Sequence, residues 1–283
     1  MVKLVYTYAL GAYIERCGGS SPLSGTFLLQ LFMWLLLFLL LAKPVFAQDS
    51  TDNYTKYRTD YLYQRDLYQK NYFDYLNKKD IYTQYRTLVS EKDKIDATKT
   101  VLFSRNLMLK SYFMALRVGL DKYKVMNSAE TEKNQIEIKK WETWLDEQNL
   151  IIPNFNNNSD IQTWSRDFKK FYVEIQRTIY SGLAQSQINL RLQIQNDIES
   201  LANNIKNDPK NQNYSNDWFA SYPVKSDLIT KSLQTAAQVC RRAQRGNTFS
   251  NFYPEVRIEI NKTNNYLKSL ITDLKSVAIK LNN

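Results

Sequence analysis

The chain of 283 residues carries 38 Lys and Arg against 28 Asp and Glu, a formal balance of +10, with two Cys and no His. A hydrophobic content of 43% is that of a chain with a buried core, which excludes wholesale disorder. Seven Gly and six Pro are too few for a turn-rich β fold, and the lack of His excludes Ser-His and Cys-His nucleophile pairs and His-ligated zinc.

The first element in the chain is apolar. Residues 27–42, FLLQLFMWLLLFLLLA, hold a single polar side chain, Gln30, and predict a helix that enters a membrane. Two readings stand for residues 1–47. One is a cleaved secretory signal, with Val45 and Ala47 as the small residues of a cleavage site between Ala47 and Gln48. The other is a signal anchor that stays in place. The run rises about 24 Å at 1.5 Å per residue, short of a hydrocarbon core of about 30 Å, which favours cleavage. Both readings put the residues from Gln48 onward outside the cytoplasm, secreted or anchored to the membrane by residues 27–42. Lys3, Arg16 and Lys43 stand against Glu15 in residues 1–47, so the remainder keeps a balance of +8. Outside the cytoplasm that charge meets anionic envelope polymers and lipid headgroups, and nucleic acid is not an expected partner.

The remainder divides at the Pro- and Asn-containing stretch 151–160 into a helical hairpin region, 48–150, and a region 151–283 expected to pack with it as one domain. From Asp52 to Ile95 there is no Gly or Pro, which predicts one long helix or two that meet at an unmarked bend. Tyr54, Tyr61, Tyr68, Tyr75, Tyr82 and Val89 recur every seven residues, thickened by Ile81, Tyr85 and Leu88. Heptad spacing makes this a packing seam, and Tyr suits a shallow one because the ring is buried while the hydroxyl reaches water. Tyr63 falls off the seam and is expected to be exposed. A second helix is predicted over 99–126 on Leu102, Leu109, Phe113, Leu116 and Leu120, with Gly119 marking a close helix contact and 90–100 a turn or a kink before it. Glu91, Asp93 and Asp96 in that stretch lack metal-ligand spacing.

Ser128 is a plausible N-cap for a third helix to Gln148, in which Trp141 and Trp144 share a face. They read as a core patch, with a stacking platform for sugars or bases as the alternative. Asp160 is expected to cap a long helix to Asn207, carrying Phe168, Tyr172, Ile175, Ile179, Leu183, Leu190, Ile194, Ile198, Leu201 and Ile205 on one stripe. Residues 207–227, with Pro209 and Pro223, read as a linker whose aromatics Trp218, Phe219 and Tyr222 either cap the bundle or form a binding tip. A helix over 226–245 places Cys240 on its apolar face as a buried structural thiol and ends on Arg241, Arg242 and Arg245. In the last helix, 253–281, Val256, Ile260, Thr263, Leu267, Leu270, Leu274, Val277 and Leu281 alternate by four and three, the spacing of a coiled-coil seam.

The fold class is all-α: an elongated antiparallel helical bundle, or coiled-coil hairpins, of about six helices after an N-terminal membrane-targeting helix. The expected function is a non-catalytic structural or adaptor module at the cell surface, working through a protein partner or self-association. The alternative is a binding module for an anionic envelope polymer or lipid surface, for which Trp218, Phe219, Tyr222, Arg241, Arg242 and Arg245 are the candidate residues. No enzyme activity, metal or cofactor is expected.

Overall fold

The computed structural model describes residues 48–123, 129–207, 216–245 and 252–282. The apolar run 27–42, the cleavage-site residue Ala47 and the cap candidate Ser128 lie outside them. Residues 49–283 form one compact unit, all of it helical where described. Its elements are α1 (Gln48–Tyr85), α2 (Leu88–Lys122), α3 (Ala129–Ile151), a 3-10 turn (Ile152–Asn154), α4 (Asn158–Asn207), α5 (Asn216–Arg245) and α6 (Tyr253–Asn282). None of the described helices is long and apolar enough to cross a membrane.

The Tyr seam joins α1 to α2. Tyr54 lies against Gly119, where its Cε2 is 3.4 Å from the position a Cβ would take. Tyr61 meets Tyr112 edge-on at 5.2 Å, and Tyr68 lies beside Arg105. The partners 119, 112 and 105 step back by seven as the tyrosines step forward by seven, which is the signature of an antiparallel heptad pair. Further out, Lys94 sits 3.8 Å over the Tyr82 ring and Lys78 bonds Asp93 at 3.0 Å, which raises the Lys78 pKa. Tyr61 and Tyr68 are buried, Tyr54, Tyr75 and Tyr82 half-buried, and Tyr63 is exposed.

The turn between these helices is at Arg86–Thr87, and not at 90–100. Arg86 takes a left-handed conformation, φ 48°, in which the chain reverses, and Thr87 and Ser90 cap α2 reciprocally: the Ser90 amide donates to Thr87 Oγ1 at 3.1 Å and the Thr87 amide to Ser90 Oγ at 3.1 Å. Val89 therefore belongs to α2 and is exposed, as are Ile81, Tyr85 and Leu88 from the predicted seam.

Antiparallel packing continues along the chain. Arg117 and Lys139 reach the buried Glu142 carboxylate at 2.9 and 3.3 Å, and Lys110 bonds Asp146 at 2.7 Å, tying α2 to α3. Asn157, rather than Asp160, caps α4: its Oδ1 accepts the Asp160 amide at 3.0 Å, while the Asp160 carboxylate accepts the Asn156 amide at 2.9 Å. The 50 residues of α4 rise about 75 Å. Its first half packs between α2 and α3, and its second half against α5 and α6. Leu201, assigned to its apolar stripe, is exposed.

Residues 216–226, expected in a linker, are the first turns of α5, with Pro223 inside the helix. In α6 the seam holds as spaced, with Val256, Ile260, Thr263, Leu267, Leu270, Leu274 and Val277 all buried. The two halves of the bundle meet at Thr178–Ala184, where every residue is buried. A Cβ on Gly182 would stand 2.7 Å from Leu116 Cδ2 and 3.1 Å from its Cγ, so glycine here permits the approach of α2. Gly182→Val is expected to cost about 1–3 kcal/mol of unfolding free energy. In a double-mutant cycle with Leu116→Ala, urea unfolding should show the two costs to be less than additive, because the second change vacates the space the first invades.

Candidate functional site

Six rings from three segments gather where α3 and α4 meet. Trp141 and Trp144 are three residues apart on α3, Phe155 follows the 3-10 turn, and Trp164, Phe168 and Phe171 share one side of α4 at spacings of four and three. Centroid separations of 5.1 Å (Trp164–Phe168), 5.2 Å (Trp144–Phe171), 5.3 Å (Trp144–Phe168), 5.5 Å (Trp141–Trp144) and 6.0 Å (Phe155–Trp164) link them continuously. Both buried indoles are satisfied: Trp141 Nε1 donates to Thr178 Oγ1 at 3.0 Å, and Trp164 Nε1 to Gln148 Oε1 at 2.8 Å. Trp141 is thus core, as the patch reading has it, while Trp144 lines an open cleft of about 610 Å³ with Ile151, Phe155, Trp164, Phe168 and Phe171.

The polar groups at the cleft rim are committed to one another. Asp167 Oδ1 accepts from Lys170 at 2.6 Å, which holds its carboxyl below the usual range, and the Asp160 carboxylate is used by the Asn156 amide. Gln148 Oε1 already holds Trp164. The cleft therefore offers aromatic planes to a flat or apolar group more than a set of free hydrogen-bonding atoms.

Behind the rings lies Arg105 of α2. Its guanidinium carbon is 3.9 Å from the Phe168 centroid and 5.2 Å from that of Trp164. Nε and Nη2 are buried and have no hydrogen-bond partner. Burial pushes its pKa down to about 10, against the opposing influence of Tyr68 and Tyr172, so it is still a cation at neutral pH. Asn106 beside it is wholly buried with neither end of its amide partnered. Nothing in the sequence around Ser104, Arg105 and Asn106 distinguishes them from an exposed polar face.

The binding-surface residues named from sequence lie on α5, and the side chains of three of them, Tyr222, Arg241 and Arg242, are described. Tyr222 is half-buried and packs with Ile205 against Ala202, Leu274 and Val277, and burial raises its hydroxyl pKa. Arg241 pairs with Glu130 of α3 at 3.6 Å, and Arg242 is exposed. Trp218, Phe219 and Arg245 belong to α5, with side chains outside those described. Gln48 begins α1. Cys240 is buried and free, its thiol pushed up to about 12 chiefly by burial. Among the described residues no group of acidic or sulfur side chains could hold a metal ion. No protein-family model, curated protein or solved structure matches the chain.

Two outcomes follow. A cation–π contact contributes about 0.5–2 kcal/mol, whereas desolvating an ion costs several, so desolvation wins at Arg105. Arg105→Met, which keeps the stem and removes the charge, is expected to leave stability unchanged or raise it by about 1–2 kcal/mol in urea titrations. Arg105→Ala, which opens a cavity, is expected to lower it by about 2–4 kcal/mol. For Cys240, the native thiol should resist alkylation at pH 8 and react fully in denaturant. Because the folded state holds this proton above the unfolded pKa, that contribution to stability is lost as pH rises from about 9 towards 12, visible as a falling urea midpoint.

Proposed function

We propose that the residues from Gln48 onward form an elongated, non-catalytic helical adaptor outside the cytoplasm, secreted or held at the membrane by residues 27–42, which joins other components through the outer face of α1. The observation that carries this reading is the exposure of large aromatics on that face. Tyr63 and Phe73 are each 65% exposed, and Ile81 is exposed with them. At 100° per residue Tyr63 lies about 160° round the helix from Tyr61 of the seam, and Ile81 repeats its direction after five turns. α1 meets α2 through Tyr61 and Lys78, and among the described residues this other side stays exposed, the situation in which helices dock on helices.

The alternative is a binding module for an anionic polymer or lipid; of its candidate residues, Tyr222 packs against Ala202, Leu274 and Val277, Arg241 pairs with Glu130, and Arg242 is exposed. It gains support elsewhere, from the α1–α2 turn treated below.

A photoreactive residue in place of Phe73, in the full chain expressed in its host, should crosslink to a discrete protein or to a second copy, while one at the exposed Lys231 on α5 should not. Phe73→Lys should leave unfolding within about 0.5 kcal/mol of wild type and weaken association on the order of 30-fold, the scale of a 2 kcal/mol hot spot. A monomer at all concentrations, with no crosslink at Phe73, sinks the adaptor reading.

A further inference from the structure

Among the described residues the α1–α2 turn lies beyond the ends of α3 and α4 at its end of the bundle. Asn158, at the start of α4, stands level with Glu91 through a 2.9 Å bond from its Nδ2 to Glu91 Oε1, and Lys99 reaches the Pro153 carbonyl at 3.3 Å. α3 ends lower still, since Lys110 of α2 is already opposite Asp146, and α5 and α6 lie along the other half of α4. The reversal at Arg86–Thr87 therefore projects past its described neighbours, and what it carries is apolar: Leu88 is 86% exposed, Val89 72% and Tyr85 62%.

Charge surrounds this tip. Between 78 and 94 there are five cations, Lys78, Lys79, Arg86, Lys92 and Lys94, against Asp80, Glu91 and Asp93. Asp93 is taken by Lys78 and Glu91 is bonded by Asn158, while Lys79, Arg86 and Lys92 are exposed and make no ion pair among the described residues. A groove would fit a partner helix, but this surface is convex and must enter its partner. Aliphatic side chains at the apex, tyrosines behind them and unpaired cations around them match, in that order, the acyl region, the interface and the anionic headgroups of a bilayer.

We propose that the α1–α2 turn docks on an anionic lipid surface, inserting Leu88 and Val89 with Tyr85 at the interface, while Lys79, Arg86 and Lys92 meet the headgroups. This surface is separate from the Tyr63–Phe73 face, and neither depends on the other.

The experiment uses the full chain with Cys17→Ser and Leu88→Cys, the latter carrying an environment-sensitive fluorophore; the buried Cys240 thiol stays unlabelled. The protein is held in nanodiscs through its apolar segment, vesicles are added, and discs and vesicles are both made with or without phosphatidylserine. Brominated lipid is placed in the discs in one arm and in the vesicles in the other. Quenching of the label by brominated lipid in either arm, dependent on phosphatidylserine, is the expected result, and the arm shows which membrane is touched. Lys79→Gln, Arg86→Asn and Lys92→Gln together should weaken it on the order of 100-fold, from about 1 kcal/mol per cation; Asn tolerates the left-handed backbone at 86. A label at the exposed Gln238 controls for nonspecific contact and should not be quenched. Absence of quenching in both arms overturns the proposal. So does equal quenching without anionic lipid, or unchanged quenching in the triple variant.

Discussion

Seven consecutive buried residues, Thr178 to Ala184, are more than one helix face can hide, and they exist only because α4 is ringed by neighbours at that level. Above the ring stand α2 and α3; from it α5 and α6 run the other way. Trp141 bonds Thr178, Leu116 occupies the space a Cβ on Gly182 would need, and Tyr180 stacks on Tyr253 at 5.8 Å. Helices from both halves thus meet on two turns of one helix. Without that close contact the halves would be joined by a bare rod, and α4 would expose apolar surface on the side each half leaves open.

The Tyr seam obeys the same rule of available neighbours. Tyr61 and Tyr68 are buried because the α2 positions opposite them, 112 and 105, are themselves backed by α4. Tyr75 and Tyr82 follow the same heptad but lie towards the end where α4 begins, and they are only half-buried. The repeat in the sequence runs on past the point where the bundle can cover it. Val89 falls outside the seam for a different reason, since it lies past the turn on α2: periodicity defines a face only within one helix, and burial needs a second body to cover it.

The same distinction decides what was legible. The α6 seam could be read residue by residue, since a clean four-three alternation has one packing solution. The turn at Arg86 could not, because it uses neither Gly nor Pro; its only local signal is Thr87 three residues before Ser90, a capping box without the usual Glu or Gln. Residues 216–226 read as a linker on account of Pro223, yet α5 runs through it, and Tyr222 finds apolar cover from Ile205, Leu274 and Val277. Tertiary burial there outweighs the roughly 3 kcal/mol disadvantage of an interior proline. At the candidate site the i, i+3 pair Trp141 and Trp144 was visible, but its partners come from 155 and 164–171, and Arg105 from a third helix.

The distribution of polar atoms separates the two halves in energy as well as in space. Gln64, Arg105, Asn106 and Asn149, all with buried side-chain atoms lacking partners, lie in the half built by α1, α2, α3 and the start of α4. Each buried unsatisfied group costs about 1–3 kcal/mol, and more if charged. The half built by α5 and α6 instead closes on an aliphatic seam, with Gln195 of α4 satisfied by Ser226 and Thr230 at 2.9 and 3.1 Å. Among the described residues, those costs fall on the side of α4 that packs against α1, α2 and α3. The aromatic cleft, the exposed face of α1 and the apolar tip all belong to the half that carries those costs, while the described part of the α5–α6 half closes on its aliphatic seam.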